Sequence, residues 1–183
     1  MESQEKGWLE NMLGWGRKRQ LETREVLYGN AVDMARDPAF FSDHGVADTV
    51  DGRFDALALV VALVMRRLKD CGTEGQALSQ ELFDTMFSDM DLSLREMGAG
   101  DIGVSKRVRV MAEAFMGRLE SYAGSLDSGD RKALGAALGR NLLRGDKPAD
   151  DTLVDFVLVL EQRIAAVDTC LLYTSPSPRD SLE

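Results

Sequence analysis

ALALVVALVM (Ala56–Met65) is the stretch whose reading decides the fold. Ten apolar residues in a row fall short of the roughly 18–20 that a membrane-spanning helix needs. A helix that is apolar on all sides is a buried one, because a surface helix keeps a polar face. The run therefore predicts the central helix of a bundle. Asp51 is a suitable N-cap for it; the helix is expected to run to Asp70, and Gly72 to end it.

The flanking segments are helical as well. Downstream, Thr73 and Gln76 suggest a capping box for a fourth helix. Leu78, Leu82, Phe83, Met86, Phe87, Met90, Leu94 and Met97 give that helix a wide stripe at 3.6-residue spacing, and Gly98 stops it. A fifth helix is expected over about Val104–Leu126. A shorter sixth follows, with Ser128 and Asp130 as candidate caps, and ends by Gly145. Pro148 separates it from a seventh over Asp150–Val167. Upstream, a helix from Thr23 to about Arg36 stops at Asp37-Pro38, since a residue before proline avoids the helical region. The loop after it is pinned by Phe40 and Phe41. In the segment Gln4–Arg19, Trp8, Met12 and Trp15 share one helical face. The expected architecture is all-α, a single-domain bundle of about six to seven helices with short connections.

Composition narrows the function. The chain has 183 residues, 44% hydrophobic content and a net charge of −9, which supports a real core and argues against direct nucleic-acid binding, where a basic face is needed. The N-terminus lacks a secretory signal pattern. Cys71, read as the one native cysteine, argues against an internal disulfide and fits a reducing compartment. One histidine, His44, reads as a solvated loop residue. Neither a Cys/His nucleophile pair nor the ligands of a zinc site can be assembled. Asp84, Asp89 and Asp91 have no Glu-x-x-His to complete a di-iron set and read as a solvated acidic face. The expectation is a protein that is no enzyme, with no cofactor and no metal site.

Lys106, Arg107 and Arg109 fall in the first turns of the fifth helix. Cations there oppose the helix dipole at about 0.3–1 kcal/mol each. They either pair with Asp89, Asp91, Glu96 or Asp101 across the turn, or await a partner.

Several motifs together resemble the ubiquinol–cytochrome c chaperone family, in its bacterial branch, over about Glu25–Gly145. The most specific are Asp51-Gly52-Arg53-Phe54-Asp55, Phe87-Ser88-Asp89-Met90, and Leu94-Arg95-Glu96-Met97-Gly98 followed by Gly100-Asp101 and Val104-Ser105-Lys106. LGRNLLRG near Gly145 belongs to the same pattern. The resemblance implies a non-enzymatic assembly factor for respiratory complex III. Mitochondrial relatives bind newly made cytochrome b near the ribosome exit; the bacterial expectation is similar work in the cytoplasm, at the inner face of the membrane. A general α-helical adaptor at the membrane surface or ribosome, without a dedicated client, is the alternative.

Under that resemblance the turn from Arg95 to Arg107 is the expected client surface. Gly98, Gly100 and Gly103 let the chain turn tightly there, and Asp101 is placed to cap the fifth helix. Arg53 and Asp55 should form a charged rim beside Phe54 and Met97, with Asp89, Glu96, Lys106 and Arg107 nearby. Trp8, Met12, Trp15, Arg17, Lys18 and Arg19 suit contact with an anionic membrane surface, or docking on the bundle. Residues 1–20 read as a variable amphipathic segment and 21–169 as the chaperone-like domain. CLLYTSPSPRD (Cys170–Asp180) reverse-translates without mismatch to what looks like a sequencing adapter, so 170–183 is expected to be a translated artefact, disordered, and outside the fold. With the last helix cut short, Val159, Leu160 and Ile164 are expected to be exposed.

Overall fold

The computed structural model describes residues 24–96, 98 and 101–166 of the chain. The protein is all-α, with no strand among these residues. Helix α1 occupies residues 24–35. It is followed by α2 (Pro38–Ser42), α3 (Val50–Leu68), a 3-10 turn (Lys69–Cys71), α4 (Gly72–Glu96), α5 (Asp101–Asp127), α6 (Arg131–Asn141) and α7 (Asp151–Ala166). The expectations for residues 1–20 and 170–183 lie outside the described residues.

Helix α3 is the centre. Every residue from Phe54 to Val64 is buried, and α4, α5 and α7 pack around it. The Ala residues at 56, 58 and 62 let neighbouring helices approach, and the Leu and Val residues between them fill the gaps. An aromatic cluster of Phe54, Phe83, Phe87 and Phe115 ties α3, α4 and α5 together, with centroid separations of 4.6 to 6.3 Å. Phe40, the anchor expected for the loop, is fully buried and meets Phe156 of α7 edge-on at 4.9 Å.

The helix ends follow local chemistry. Asp37 accepts from the Ala39 N–H to cap α2, with Pro38 in the first turn. Asp130 accepts from the Lys132 and Ala133 N–H groups at the start of α6. Asp150 accepts from the Leu153 N–H at 2.9 Å before α7, and that bond holds its carboxyl below the usual range. The cap of α3 differs from expectation. Thr49, not Asp51, accepts the Gly52 N–H, at 3.1 Å. Asp51 lies inside the first turn, where a carboxylate still favours the helix dipole. Gly52 is required there for a steric reason. A Cβ on it would lie 1.9 Å from the Ala47 carbonyl oxygen, so only glycine lets the 43–49 loop pack on the first turn of α3.

Four other expectations change. Helix α3 ends at Leu68 and passes through the 3-10 turn before Gly72, whose φ is +66°. Val159 is exposed, but Leu160 and Ile164 are buried, because that side of α7 is part of the core. His44 is only half exposed; its ring lies 4.6 Å from that of Phe156. Cys71 is not a free thiol, so it does not fit the reading of a lone reduced cysteine.

Candidate functional site

The first turn of α3, the second half of α4 and the start of α5 meet beside α1 and α2, and a cleft of about 770 Å³ opens where they do. Its floor is apolar. Val32 and Ala35 of α1, Phe41 of α2, Val50, Phe54 and Leu57 of α3, Met90 and Leu94 of α4 and Met111 of α5 contribute. Charged groups ring it: Arg36, Asp48, Asp51, Arg53, Asp89, Glu96 and Arg107.

The rim is largely paired. The Arg53 Nε donates to Asp48 at 2.7 Å, and this bond holds the Asp48 carboxyl below its usual range. The Arg53 guanidinium also stands over the Phe41 ring, 6.0 Å from its centroid. Arg107 donates to Asp51 at 3.0 Å. The Tyr28 hydroxyl of α1 donates to Asp89 at 2.7 Å. Burial, and then the bond to Asp89, raise the Tyr28 pKa, so the group stays a donor.

A second charge cluster lies directly under the rim. Asp55, one turn after Asp51, has no exposed side-chain surface. Arg118 of α5 donates to its Oδ1 at 2.5 Å. Arg144, in the loop between α6 and α7, donates Nε to Oδ2 and Nη2 to Oδ1, and also reaches Asp51 at 3.3 Å. Arg144 takes a left-handed backbone conformation to do so, with φ +53°, which costs a residue other than glycine on the order of 1 kcal/mol. Arg118 covers the Phe54 ring at 5.7 Å. The cluster thus fixes the N-terminal end of α3 to α5 and to the 142–150 loop, and so fixes the floor residue Phe54 between them.

Of the residues expected at a client surface, Arg53, Phe54, Asp89, Glu96 and Arg107 line the cleft together. Asp55 does not stand on the rim; its two arginine partners draw it into the core. Arg95 does not line the cleft and pairs with Asp91 one turn back on α4. Lys106 is exposed and makes no ion pair among the described residues, and it too stands off the cleft. Gly98 is exposed with φ +85°. Met97, Gly100 and the side chain of Asp101 lie outside the described residues, as do Trp8, Met12, Trp15, Arg17, Lys18 and Arg19. Arg107 is paired, but with Asp51 across the bundle instead of with the carboxylates near it in sequence; Arg109 pairs with Glu113 along α5. Sequence reasoning missed Arg118, Arg144, Asp48 and the α1 wall. The i, i+4 spacing of Asp51 and Asp55 was the available signal, since it puts two carboxylates on one face of an otherwise apolar helix.

Among the described residues, no group of three or more His, Cys, Asp or Glu side chains could hold a metal ion, and no helix is long and apolar enough to cross a membrane. An apolar floor inside a largely paired ring of charges has the layout of apolar core and polar rim seen in protein–protein interfaces. In comparisons with known proteins, the family model described as ubiquinol–cytochrome C chaperone matches residues 42–173. The chain belongs to that family. The match begins in α2, later than the motifs suggested, and runs on through α7. A solved structure, the crystal structure of the Cbp3 homolog from Brucella abortus, is similar over 92% of this chain and 95% of that one, with a TM-score of 0.78 and 32% sequence identity. No curated protein matches the chain.

Proposed function

We propose that this protein is an assembly chaperone for the ubiquinol–cytochrome c reductase complex, and that it holds newly made cytochrome b at the cleft between α1, α3, α4 and α5. The family and the similar Cbp3 homolog support the assembly role. The observation that carries the cleft is its make-up: an apolar floor on which Val32, Phe41, Val50, Met90 and Met111 are partly open to solvent, bordered by charges most of which are held in ion pairs. A client of apolar helices and charged loops fits such a surface. The floor provides affinity, and the rim sets orientation. The role is one of binding, performed in the cytoplasm at the inner face of the membrane, close to where the client is made.

The test is a pull-down from a host that carries complex III. The wild-type chain should retain cytochrome b, and Met90→Asp, on the cleft floor, should lose it while keeping its helical circular dichroism. Equal recovery from both proteins would remove the cleft from the mechanism. Capture of many unrelated proteins without cytochrome b would favour the adaptor reading.

A further inference from the structure

The cleft has a candidate occupant within the same chain. In Gln4–Arg19, the i, i+4, i+7 spacing of Trp8, Met12 and Trp15 would put them on one face of a helix with Leu9 and Leu13 beside it, while Arg17, Lys18 and Arg19 follow. This segment lies outside the described residues, immediately before α1. Helix α1 is itself a wall of the cleft, through Val32 and Ala35, with Arg36 just after its end.

The distances are short. Tyr28 is bonded to Asp89, a cleft-lining residue, and it lies about one helical turn from residue 24. Residues 20–23 can span up to about 14 Å. A sixteen-residue helix would be about 24 Å long. A segment tethered this close meets the cleft at an effective concentration on the order of millimolar, far above what most free partners reach.

Charge points the same way. Within the rim, Arg53 is matched by Asp48 and Arg107 by Asp51. Arg36, just after α1, and Glu96 at the end of α4 are exposed and make no ion pair among the described residues. The segment carries Glu5 and Glu10 ahead of Arg17–Arg19, so it can supply the opposite of each. Meanwhile Val50 on the lining is 53% exposed, and Phe41, Met90 and Met111 are half covered. That apolar surface gains by burial.

The geometry points to self-occupancy: when no client is bound, the Trp8–Met12–Trp15 face fills the cleft, and a client must displace it. The occupancy stands on the cleft and the segment alone. Only the displacement rests on the reading of the cleft as the client site.

The two tryptophans of the chain, Trp8 and Trp15, are both in this segment, so tryptophan fluorescence of the full chain reports on it directly. Without vesicles, the wild-type emission should be shifted to the blue of free indole and shielded from iodide. Val50→Asp, at an exposed position, and Met90→Asp should each shift the emission to the red and raise iodide quenching several-fold, with helical circular dichroism retained. Met116→Asp, at a surface site on α5 away from the cleft, should change neither. Water-exposed tryptophans in the wild type, including ones that become buried only when anionic vesicles are added, overturn the proposal. Buried tryptophans that neither cleft variant releases also overturn it, because the segment then docks elsewhere. Displacement is read separately: the double variant Trp8→Glu and Trp15→Glu should capture more cytochrome b than wild type. If no protein captures cytochrome b while the fluorescence behaves as expected, the occupancy stands and the client reading falls.

Discussion

Asp51 and Asp55 are a single helical turn apart on α3 and meet opposite surroundings. Asp51 stands on the cleft rim with nearly half of its side chain exposed, paired with Arg107 and Arg144. Asp55 is fully enclosed and held by Arg118 and Arg144. In water the attraction between opposite charges is weak, and holding two side chains together offsets much of it. In the interior the same attraction is strong, but so is the cost of leaving either charge alone. Hence the rim charges can be exchanged for contacts with a partner at little cost in stability, while the charges one turn deeper must stay where they are. Arg144 joins the two regions and belongs partly to each.

Asp55→Ala should break this contrast most severely. It leaves Arg118 and Arg144 facing an empty acceptor site and should cost about 3 kcal/mol. For a chain of this size that corresponds to a fall in Tm of roughly 6–12 °C by calorimetry. Gly52→Ala should come next, at about 1–3 kcal/mol of overpacking strain, because the loop at Ala47 must move away from α3. Urea denaturation would measure it, and an unchanged midpoint would mean that the loop yields freely. Arg144→Ala should lose about 1–2 kcal/mol. Half of this side chain is exposed, and Asp55 keeps Arg118, so the loss stays below that of Asp55→Ala; a larger loss would transfer Arg144 wholly to the interior. The double variant Lys106→Ala and Arg107→Ala should change stability least, by under about 1 kcal/mol, yet lower the amount of assembled complex III in a complementation assay. Ready unfolding, or normal assembly, would make these cations purely structural.

These two regions also show which kinds of contact a sequence displays. The central position of α3 was legible in Ala56–Met65 because an all-apolar helix has only one stable place in a bundle. The gathering of Arg53, Phe54, Asp89, Glu96 and Arg107 around one opening was foreseen through family motifs, not through periodicity. The burial of Asp55 was not legible, since its partners lie 63 and 89 residues away along the chain. Arg107 shows the same limit. Its neighbours in sequence offered several carboxylates, and the one it bonds is 56 residues distant. Thr49 and Asp51 are both good caps by type, and the choice between them depends on how the loop at Ala47 approaches Gly52. Pairings within a turn can be read from spacing, whereas pairings across the bundle depend on the packing that spacing only implies.

The bond between Tyr28 and Asp89 fastens the side of the cleft that the core holds less deeply. On one side, the backbone amides of Ala56–Val64 lie in the middle of the core and can exchange with solvent deuterium only when the whole bundle opens. On the other, α1 is anchored by Leu27, Ala31 and Ala35, by the partly buried Tyr28, Val32 and Met34, and by the phenol–carboxylate link. Deuterium uptake should therefore be slowest in α3 and faster in α1. Tyr28→Phe should speed uptake in α1 while leaving α3 unchanged. Loss of the Tyr28 hydroxyl would thus loosen the α1 wall of the cleft and leave the α3 wall fixed.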